Sequence, residues 1–496
     1  MSSPSIQRQS ILSSIVIFAG FGFGALNLLI LQPRILSTEQ WGMTRVVTEL
    51  AVLLASLSTL GTPSVVAKFM PFYRRYLPAN RNDLAGFTAL IFAGGLIFTL
   101  VGFALAKPGM VYLFGQRTPY FEAYYTYIGL FIFFQAMFMY LEVFAWFAGK
   151  TVVSNLLKEF IFRVLTTVCL LLFALNWVDF DGFMLLFGCI YLPNVAYLGL
   201  SLYRSGHLNF HFKISSVTRR LRSKMFSLGS FVFLTGLSNI TFLVCDTLFL
   251  ASMFSFSKAG IYAIAQYFSQ VLEIPMRSMQ ASSIPLISEY WRAKNYHGLQ
   301  SIYRKSSMTL LIAGLGLGGL ILINLRNINA FFPVDYQGIV APIALLMIAR
   351  WINLGTGLNA IIIQLSTYWR FDFISTLSYS LVGIPINYLL IKNFGMIGAA
   401  MANILAVALY NGLRWGFLYY KFGLQPFTWH TLLVFVSGVA LIGIVYLIPQ
   451  AGNLYVDGIW RSLLFAAIFL SFVLISGVSE EVQQLWKKWV LNNLRK

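Results

Sequence analysis

Repeated apolar stretches of about twenty residues constrain the fold of this chain more than any other feature, because each can cross the bilayer as a helix. Of the 496 residues, 58% are hydrophobic and 10% are charged, and the mean hydropathy is +0.76. A soluble domain carries about a quarter charged residues. Transmembrane barrels show short alternating strands rather than long apolar runs. The sequence therefore predicts an all-α polytopic membrane protein.

Hydropathy predicts about fourteen transmembrane helices. The loops between them are too short to hold a soluble domain. The predicted spans cover residues 10–31, 41–62, 84–106, 120–147, 151–175, 182–203, 226–251, 259–286, 306–329, 338–366, 370–391, 396–420, 428–449 and 458–477.

The distribution of cations predicts the orientation. Most of the 35 Lys and Arg residues fall in loops and tails on the side of the N-terminus, and few, such as Arg326 and Arg461, fall in predicted outer loops. By the positive-inside rule both termini are cytoplasmic. The net charge of +19 is then explained by a basic inner face beside anionic membrane lipid, and no nucleic-acid partner is predicted.

The two halves of the chain share matching positions in a single register. Such a register in a polytopic membrane protein is typical of transporters built from repeats. Each repeat contains six spans, an even number, so both copies enter the membrane from the same side. The sequence predicts parallel repeats about an axis along the membrane normal. The matching positions are Gly42 and Gly260, Phe72 and Tyr290, Tyr73 and Trp291, and Arg74 and Arg292.

This register divides the chain into five parts. Two six-helix lobes are followed by two extra helices and by a tail whose alternating charged and apolar residues predict an amphipathic helix on the inner leaflet. The parts are an N-lobe (1–203), a basic cytoplasmic linker (204–225), a C-lobe (226–421), spans 13 and 14 (422–478) and a cytoplasmic amphipathic tail (479–496).

Three stretches of the chain resemble a known transporter superfamily. They are Leu31–Arg75, which contains WGMTRVVTEL, Cys245–Lys294, which contains AGIYAIAQYF, and Ile386–Trp415, which contains the Gly-Ala-Ala segment GMIGAAMANIL. They resemble the multidrug/oligosaccharidyl-lipid/polysaccharide exporter superfamily, and within it the bacterial polysaccharide-unit (O-antigen type) flippases. The resemblance implies two six-helix lobes around a central cavity that opens alternately to each side. It also implies that the extra pair of helices borders a groove for a lipid tail.

The function that this resemblance implies is transport rather than catalysis. The substrate would be a polyprenyl-pyrophosphate-linked oligosaccharide, moved from the inner to the outer leaflet of a bacterial cytoplasmic membrane for cell-surface polysaccharide (O-antigen, lipopolysaccharide) biosynthesis. The membrane potential, proton exchange and sodium exchange remain alternative energy sources. A multidrug or cation-coupled exporter of the same superfamily is the alternative function. A membrane-embedded glycan polymerase or ligase is more distant, because it needs acid–base groups on a sizeable outer loop.

Charged residues inside the spans are the candidate cavity residues, because a charge at the bilayer centre costs at least about 2.5–3.5 kcal/mol and usually faces a bundle interior or a wet cavity. Two Arg–Glu pairs have the i,i+4 spacing that places both side chains on one helix face. In each pair, either the side chains contact substrate, or the two charges only neutralise each other so that the helix can insert into the membrane. The candidates are Arg350, Arg163, Arg45, Glu49, Arg277, Glu273 and Asp246.

Among these candidates, Arg163 and Arg350 are interpreted as deep cations without a carboxylate on the next turn of their helix. Arg350 is the first candidate for an anion ligand, because the planar guanidinium grips phosphate with two hydrogen bonds. Asp246 either partners a cation across the cavity or binds a coupling proton or cation. Arg414 and Glu142, near inner ends of spans, are interpreted as interfacial. The cysteines and histidines lack metal-ligand surroundings, so no metal or cofactor is predicted.

Overall fold

The protein is predominantly helical over the residues that its structure, a computed structural model, describes. No β-strand occurs among these residues, so the all-α prediction is confirmed. The chain divides into two compact units, Met1–Gly260 and Ile261–Lys496. The predicted tail, 479–496, lies outside the described residues, which are 4–78, 82–115, 121–206, 208 and 210–477.

Within the described residues, the first unit contains twelve α-helices and the start of a thirteenth. Its α-helices are α1 (Pro4–Ala25), α2 (Gln32–Ile35), α3 (Thr38–Ser58), α4 (Thr62–Tyr76), α5 (Leu84–Leu105), α6 (Lys107–Met110), α7 (Phe121–Phe147), α8 (Thr151–Asn155), α9 (Phe162–Ala174), α10 (Phe180–Gly188), α11 (Leu192–Arg204), α12 (Ser216–Met253) and the start of α13 (Phe256–Gln270). π-Helical segments extend or join the described helices at Leu26–Leu31, Val111–Gly115 and Leu156–Ile161.

The second unit continues from α13. Its remaining α-helices are α14 (Glu273–Arg292), α15 (Tyr296–Ile323), α16 (Leu325–Phe331), α17 (Val340–Gly355), α18 (Asn359–Gln364), α19 (Trp369–Phe422), α20 (Trp429–Leu447) and α21 (Leu454–Ile475), with a short 3-10 helix at Val334–Tyr336.

All of the predicted spans fall on helices, but several are broken. Nine helices of the described chain are long and apolar enough to cross a membrane, or ten if α3 and α4 form one bent span. The predicted spans at 259–286 and 338–366 each fall on two consecutive helices, and α19 contains two predicted spans. The span at 151–175 is helical but carries three charged residues within six positions. The chain is therefore a multi-pass membrane protein with interrupted spans.

Gly42 and Gly260, the repeated glycines, lie against each other. A Cβ on Gly260 would stand 3.1 Å from the Cα and N atoms of Gly42, and a Cβ on Gly42 would overlap the backbone carbonyl of Phe256. Only a residue without a side chain permits this close approach of two backbones. The contact explains why both halves carry glycine at this register position, while the six-plus-six division into lobes remains a prediction.

The 54-residue helix α19 is a helical hairpin. Gly395 departs from helical geometry with φ 56° and ψ −131°, and glycine adopts such positive φ values without strain. The segments on either side are antiparallel, because Asp372 near one end forms an ion pair with Arg414 near the other. Both residues are buried. This corrects the interpretation of Arg414 as interfacial: a carboxylate from the preceding segment compensates its charge inside the protein.

The predicted linker, 204–225, is only partly a linker. Helix α12 begins at Ser216, and the Ser215 side chain caps it by accepting a hydrogen bond from the Thr218 amide. The Asp83 carboxylate accepts hydrogen bonds from the Ser215 amide and the Thr218 hydroxyl, both at 2.7 Å. The basic residues of the second half of this segment therefore form the first turns of α12.

Arg461, assigned above to an outer loop, is buried inside α21. Its guanidinium forms a 2.6 Å ion pair with Asp457 and donates to the carbonyl oxygens of Val445 at 2.8 Å and Ile448 at 2.6 Å. These carbonyls belong to the end of α20, where the last helical turn lacks internal donors. Arg461 therefore caps α20 and joins the two extra helices.

Candidate substrate site

One carboxylate in the second unit holds two arginines, and these three residues are called the Glu273 cluster. One Glu273 carboxylate oxygen (Oε1) lies 2.6 Å from Arg350 Nη1, and the other (Oε2) lies 3.0 Å from Arg277 Nη2. Arg277 lies one turn after Glu273 on α14, whereas Arg350 comes from α17. The predicted Glu273–Arg277 pair is confirmed as a contact, and the cluster as a whole carries one excess positive charge.

Local structure places Glu273 in this position. It is the first residue of α14, which follows a break after the end of α13. A carboxylate at the first turn of a helix is stabilised by the positive end of the helix dipole. Ser269, in the last turn of α13, lies beside Arg350, with its Oγ atom 3.4 Å from Arg350 Nε. The break between α13 and α14 therefore brings a hydroxyl and a carboxylate to one guanidinium.

The cluster is accessible at one end and shielded at the other. The Arg277 side chain is 73% exposed, whereas those of Glu273 and Arg350 are 30% and 25% exposed. Because the charges are partly shielded from water, their interaction is stronger than that of a surface pair. An incoming anion can thus reach Arg277 and compete with Glu273 for Arg350.

The predicted pair on α3 of the first unit is also confirmed. Arg45 Nη2 lies 2.6 Å from Glu49 Oε1, and the two side chains are 21% and 14% exposed. The Nε atom of Arg45 is buried and has no hydrogen-bond partner in the described structure. This pair is one-to-one, so its formal charge is zero.

The interpretation of Arg163 as a deep cation without a neighbouring carboxylate is wrong. Arg163 forms an ion pair with Glu159, one turn earlier, at 3.2 Å, and donates to the Glu159 carbonyl oxygen at 3.0 Å. Gly20 of α1 faces this pair, because a Cβ there would come within 2.9 Å of Arg163 Nη1. Glu159 lies in the π-helical segment Leu156–Ile161, an irregularity that is frequent at functional sites.

Two further carboxylates lie in buried positions. Glu142, interpreted as interfacial, is only 6% exposed and forms a 3.3 Å ion pair with Lys158. Asp246 is buried on α12, with 2% exposure, and its Oδ1 atom lies 3.7 Å from Cys245 Sγ. Glu142 is therefore enclosed by protein and paired rather than interfacial, whereas both alternatives for Asp246 remain predictions.

A buried amide network in the second unit was not found from the sequence. The Asn411 carbonyl oxygen (Oδ1) accepts hydrogen bonds from Thr356 Oγ1 and Asn359 Nδ2, both at 2.9 Å. Its amide nitrogen donates to Asn353 Oδ1 at 3.2 Å. The sequence feature that could have revealed it is the presence of asparagines within apolar spans, because a polar group there needs a hydrogen-bond partner. This network ties α17 and α18 to the second arm of α19.

An apolar cavity of about 350 Å³ lies beside this network. It is bounded by α15, α17 and the first turns of α20, the first extra helix. Apolar residues form most of its wall, and three threonine hydroxyls provide its polar side chains. Its lining includes Leu311, Trp351, Thr356, Thr428, Thr431 and Phe435.

No protein-family model matches the chain, and no curated protein matches it. Solved structures do match over nearly its whole length. The lipid II flippase MurJ in an inward closed conformation is 14% identical, covers 95% of this chain and 99% of its own, and gives a TM-score of 0.73.

Multidrug transporters also match. An inward-facing multidrug resistance MATE family transporter of the MOP superfamily is 12% identical, covers 87% of this chain and 94% of its own, and has a TM-score of 0.59. The MATE multidrug transporter DinF-BH is 16% identical, covers 86% and 98%, and has a TM-score of 0.55. The predicted resemblance is confirmed at the level of the fold: this chain has the fold of the multidrug/oligosaccharidyl-lipid/polysaccharide exporter (MOP) superfamily transporters.

Proposed function

We propose that the protein is a flippase for a polyprenyl-pyrophosphate-linked oligosaccharide, working by alternating access in a bacterial cytoplasmic membrane for cell-surface polysaccharide biosynthesis. The Glu273 cluster carries this proposal. Its two arginines share one carboxylate, so it holds an excess positive charge that an anionic substrate group can neutralise. Both termini are proposed to be cytoplasmic, on the basis of the distribution of cations.

The chemistry of the cluster suits pyrophosphate. Guanidinium groups form paired, charge-assisted hydrogen bonds with phosphate oxygens, which are stronger than neutral hydrogen bonds. In the free protein Glu273 acts as an internal counter-ion that keeps Arg350 and Arg277 oriented. Pyrophosphate then exchanges with this carboxylate, with its higher charge favouring the exchange. Arg45, Glu49 and Arg163 are proposed as further cavity residues, and the sugars would occupy the same cavity while the lipid tail stays in the bilayer.

The structural comparisons include both a lipid II flippase and multidrug transporters, so the choice between a lipid-linked substrate and a drug rests on the charge of the site. The lipid II flippase covers a larger share of this chain than the multidrug transporters do, with a higher TM-score. A multidrug exporter of cations is the second candidate, and the buried carboxylate of Asp246 favours it. The excess charge of the Glu273 cluster opposes a cationic substrate, because a like charge repels it.

Proteoliposomes test the proposed transport directly. Purified protein is reconstituted with a short-chain polyprenyl-pyrophosphate-linked oligosaccharide, and the appearance of the glycan on the opposite leaflet is followed by lectin binding. Transport of this lipid, with no transport of the same glycan on an uncharged lipid, supports the proposal. Efflux of a cationic fluorescent dye without glycan transport would replace it with the multidrug function.

The energy source is tested in the same vesicles. Moving one negative charge outward is favoured by about 2.3 kcal/mol per 100 mV of inside-negative potential. A potassium diffusion potential set with valinomycin is therefore expected to accelerate outward movement, and reversing its sign to slow it. If only a proton or sodium gradient changes the rate, exchange of that ion drives transport, and Asp246 is the first carboxylate to substitute.

A further inference from the structure

The α19 hairpin carries an apolar groove on its surface. The groove has a volume of about 630 Å³. Its wall includes Phe371 and Phe417, whose rings stack at a centroid distance of 4.0 Å. Its floor includes Gly412 and Gly416 of the second arm, and Lys421 stands at one end. The groove lies within a membrane-spanning segment, so a lipid chain has direct access to it.

The glycines of this floor are not required by packing within the chain. A Cβ on Gly412 or on Gly416 would meet no atom within 4 Å, and neither residue has a positive φ. Glycine is a poor helix former, so the sequence keeps a weak residue where alanine or leucine would fit. Together with Ala408, these residues recur at every fourth position on one helix face. They leave a smooth floor to the groove, which ends near Lys421.

Cations and aromatic rings gather at the Lys421 end of this groove. Lys421 Nζ lies 5.4 Å from the centre of the Tyr368 ring, and the Arg370 guanidinium lies 5.6 Å from the centre of the Trp369 ring. In the part of the chain that the structure describes, neither cation forms an ion pair with a carboxylate. Such aromatic belts mark the membrane–water boundary, and the charge distribution predicts that this boundary is the cytoplasmic one.

We propose that this groove binds an anionic phospholipid of the inner leaflet. One acyl chain lies on the floor formed by Gly412 and Gly416, and the phosphate group is held by Lys421, with Arg370 as the neighbouring cation. Negative lipids are concentrated in that leaflet, and a cation near the surface attracts them. The site is independent of the proposed transport, since it lies on α19 and uses none of the Glu273 cluster.

A second copy of this chain suits the same surface less well. A two-fold axis along the membrane normal would pair the groove with itself and bring Lys421 of each copy to the same depth. Two unpaired lysines at one interface repel each other. A phospholipid phosphate instead supplies the missing negative charge, so charge complementarity favours lipid.

Photo-crosslinking in lipid nanodiscs tests the proposal. The full chain is placed in phosphatidylcholine discs that contain a trace of phosphatidylglycerol or phosphatidylcholine with a diazirine on one acyl chain, and labelled peptides are mapped by mass spectrometry. Phosphatidylglycerol is expected to label 408–421 in preference to phosphatidylcholine. Lys421→Gln should reduce this preference about five-fold, since one cation near the surface contributes on that scale, and Gly412→Leu with Gly416→Leu should remove labelling of the floor.

Two matched substitutions serve as controls. Gly443→Leu fills an equally open glycine position on α20, and Lys392→Gln removes a cation near the opposite end of the hairpin. Neither should change the preference. Equal labelling by the two lipids would overturn the proposal in favour of nonspecific lipid contact. A dimer of the wild-type chain that Gly412→Leu disperses would overturn it in favour of a second copy as the occupant.

Discussion

The pair on α3 and the cluster at the start of α14 contain the same sequence motif but differ in charge. Arg45 and Glu49 neutralise each other at 2.6 Å. Glu273 and Arg277 have the same i,i+4 spacing, yet Arg350 from another helix takes the second oxygen of the same carboxylate. Spacing along one helix thus does not distinguish a neutral pair from an anion site, because the distinction depends on a third residue.

The largest expected effect is that of Arg350→Ala. This change leaves Glu273 and Arg277 as a neutral pair and removes the more shielded cation of the cluster. Loss of the shielded, hydrogen-bonded pairing between Arg350 and the pyrophosphate of the substrate costs about 2–5 kcal/mol of binding free energy, so transport of the pyrophosphate-linked glycan should fall about 30-fold or more. Arg350→Lys should recover only part of the rate, because lysine keeps the charge but loses the planar fork. The measurement is the initial rate at which the pyrophosphate-linked glycan is flipped in proteoliposomes.

Arg326→Ala is the matched control for this substitution. Arg326 is an exposed arginine of the same unit that stacks on the Tyr446 ring at 4.6 Å, and its removal should leave the rate unchanged. Protein level and thermal stability of Arg350→Ala should remain near those of the wild type. Unchanged transport by Arg350→Ala would assign Arg350 a structural role and move the anion site to Arg45 or Arg163.

The α3 pair is expected to respond in stability more than in transport. Arg45→Ala leaves the largely shielded carboxylate of Glu49 without its cation, which should lower the free energy of unfolding by about 1–3 kcal/mol. The double variant Arg45→Gln with Glu49→Gln removes both charges and should recover most of this loss. Thermal unfolding in detergent gives the comparison. A double variant that is stable but inactive would instead show that the pair contacts substrate.

The contrast between these two sites also shows which ion pairs can be predicted from the sequence and which cannot. The pairs Arg45–Glu49 and Glu273–Arg277 were predictable, because helical periodicity is local. The Glu159–Arg163 contact has the same spacing and was predictable too. The contact between Glu273 and Arg350 was not, because it joins side chains from two helices, α14 and α17, that are far apart in the sequence. The ion pair of Asp372 with Arg414 similarly follows from the hairpin at Gly395.

The fold was more predictable than the site. Long apolar runs dictate membrane-spanning helices, whatever their packing, so every predicted span falls on helix. The breaks within spans were harder to predict from the sequence, because each depends on the backbone conformation of a particular turn. At the α3–α4 bend of 44°, Leu60 and Gly61 both have positive φ, and a Cβ on Gly61 would collide with the Gly229 carbonyl. Such a bend depends on a tertiary neighbour.

Glu273→Gln is expected to have the opposite effect, tighter binding of the anion. This change removes the internal counter-ion and leaves Arg350 and Arg277 without a carboxylate in the cluster. A partly shielded ion pair contributes up to about 1 kcal/mol, so pyrophosphate should bind about five-fold more tightly. Isothermal titration of the purified protein with inorganic pyrophosphate measures this. The control is Glu122→Gln, which removes the carboxylate partner of the exposed Lys107 and should not tighten binding. Weaker binding would mean that Glu273 orients the arginines more than it competes with substrate.

The smallest expected effect within the cluster is that of Arg277→Ala. Its side chain is 73% exposed, so water screens its charge, and the closer contact between Glu273 and Arg350 at 2.6 Å remains. Transport should therefore fall only about two-fold, within the range of an exposed pair, and raised salt should reduce the difference from wild type, because salt screens exposed charges. Rates in low and high salt test both statements. A loss as large as that of Arg350→Ala would show that the two arginines grip the anion together, and the excess charge of the whole cluster would then define the site.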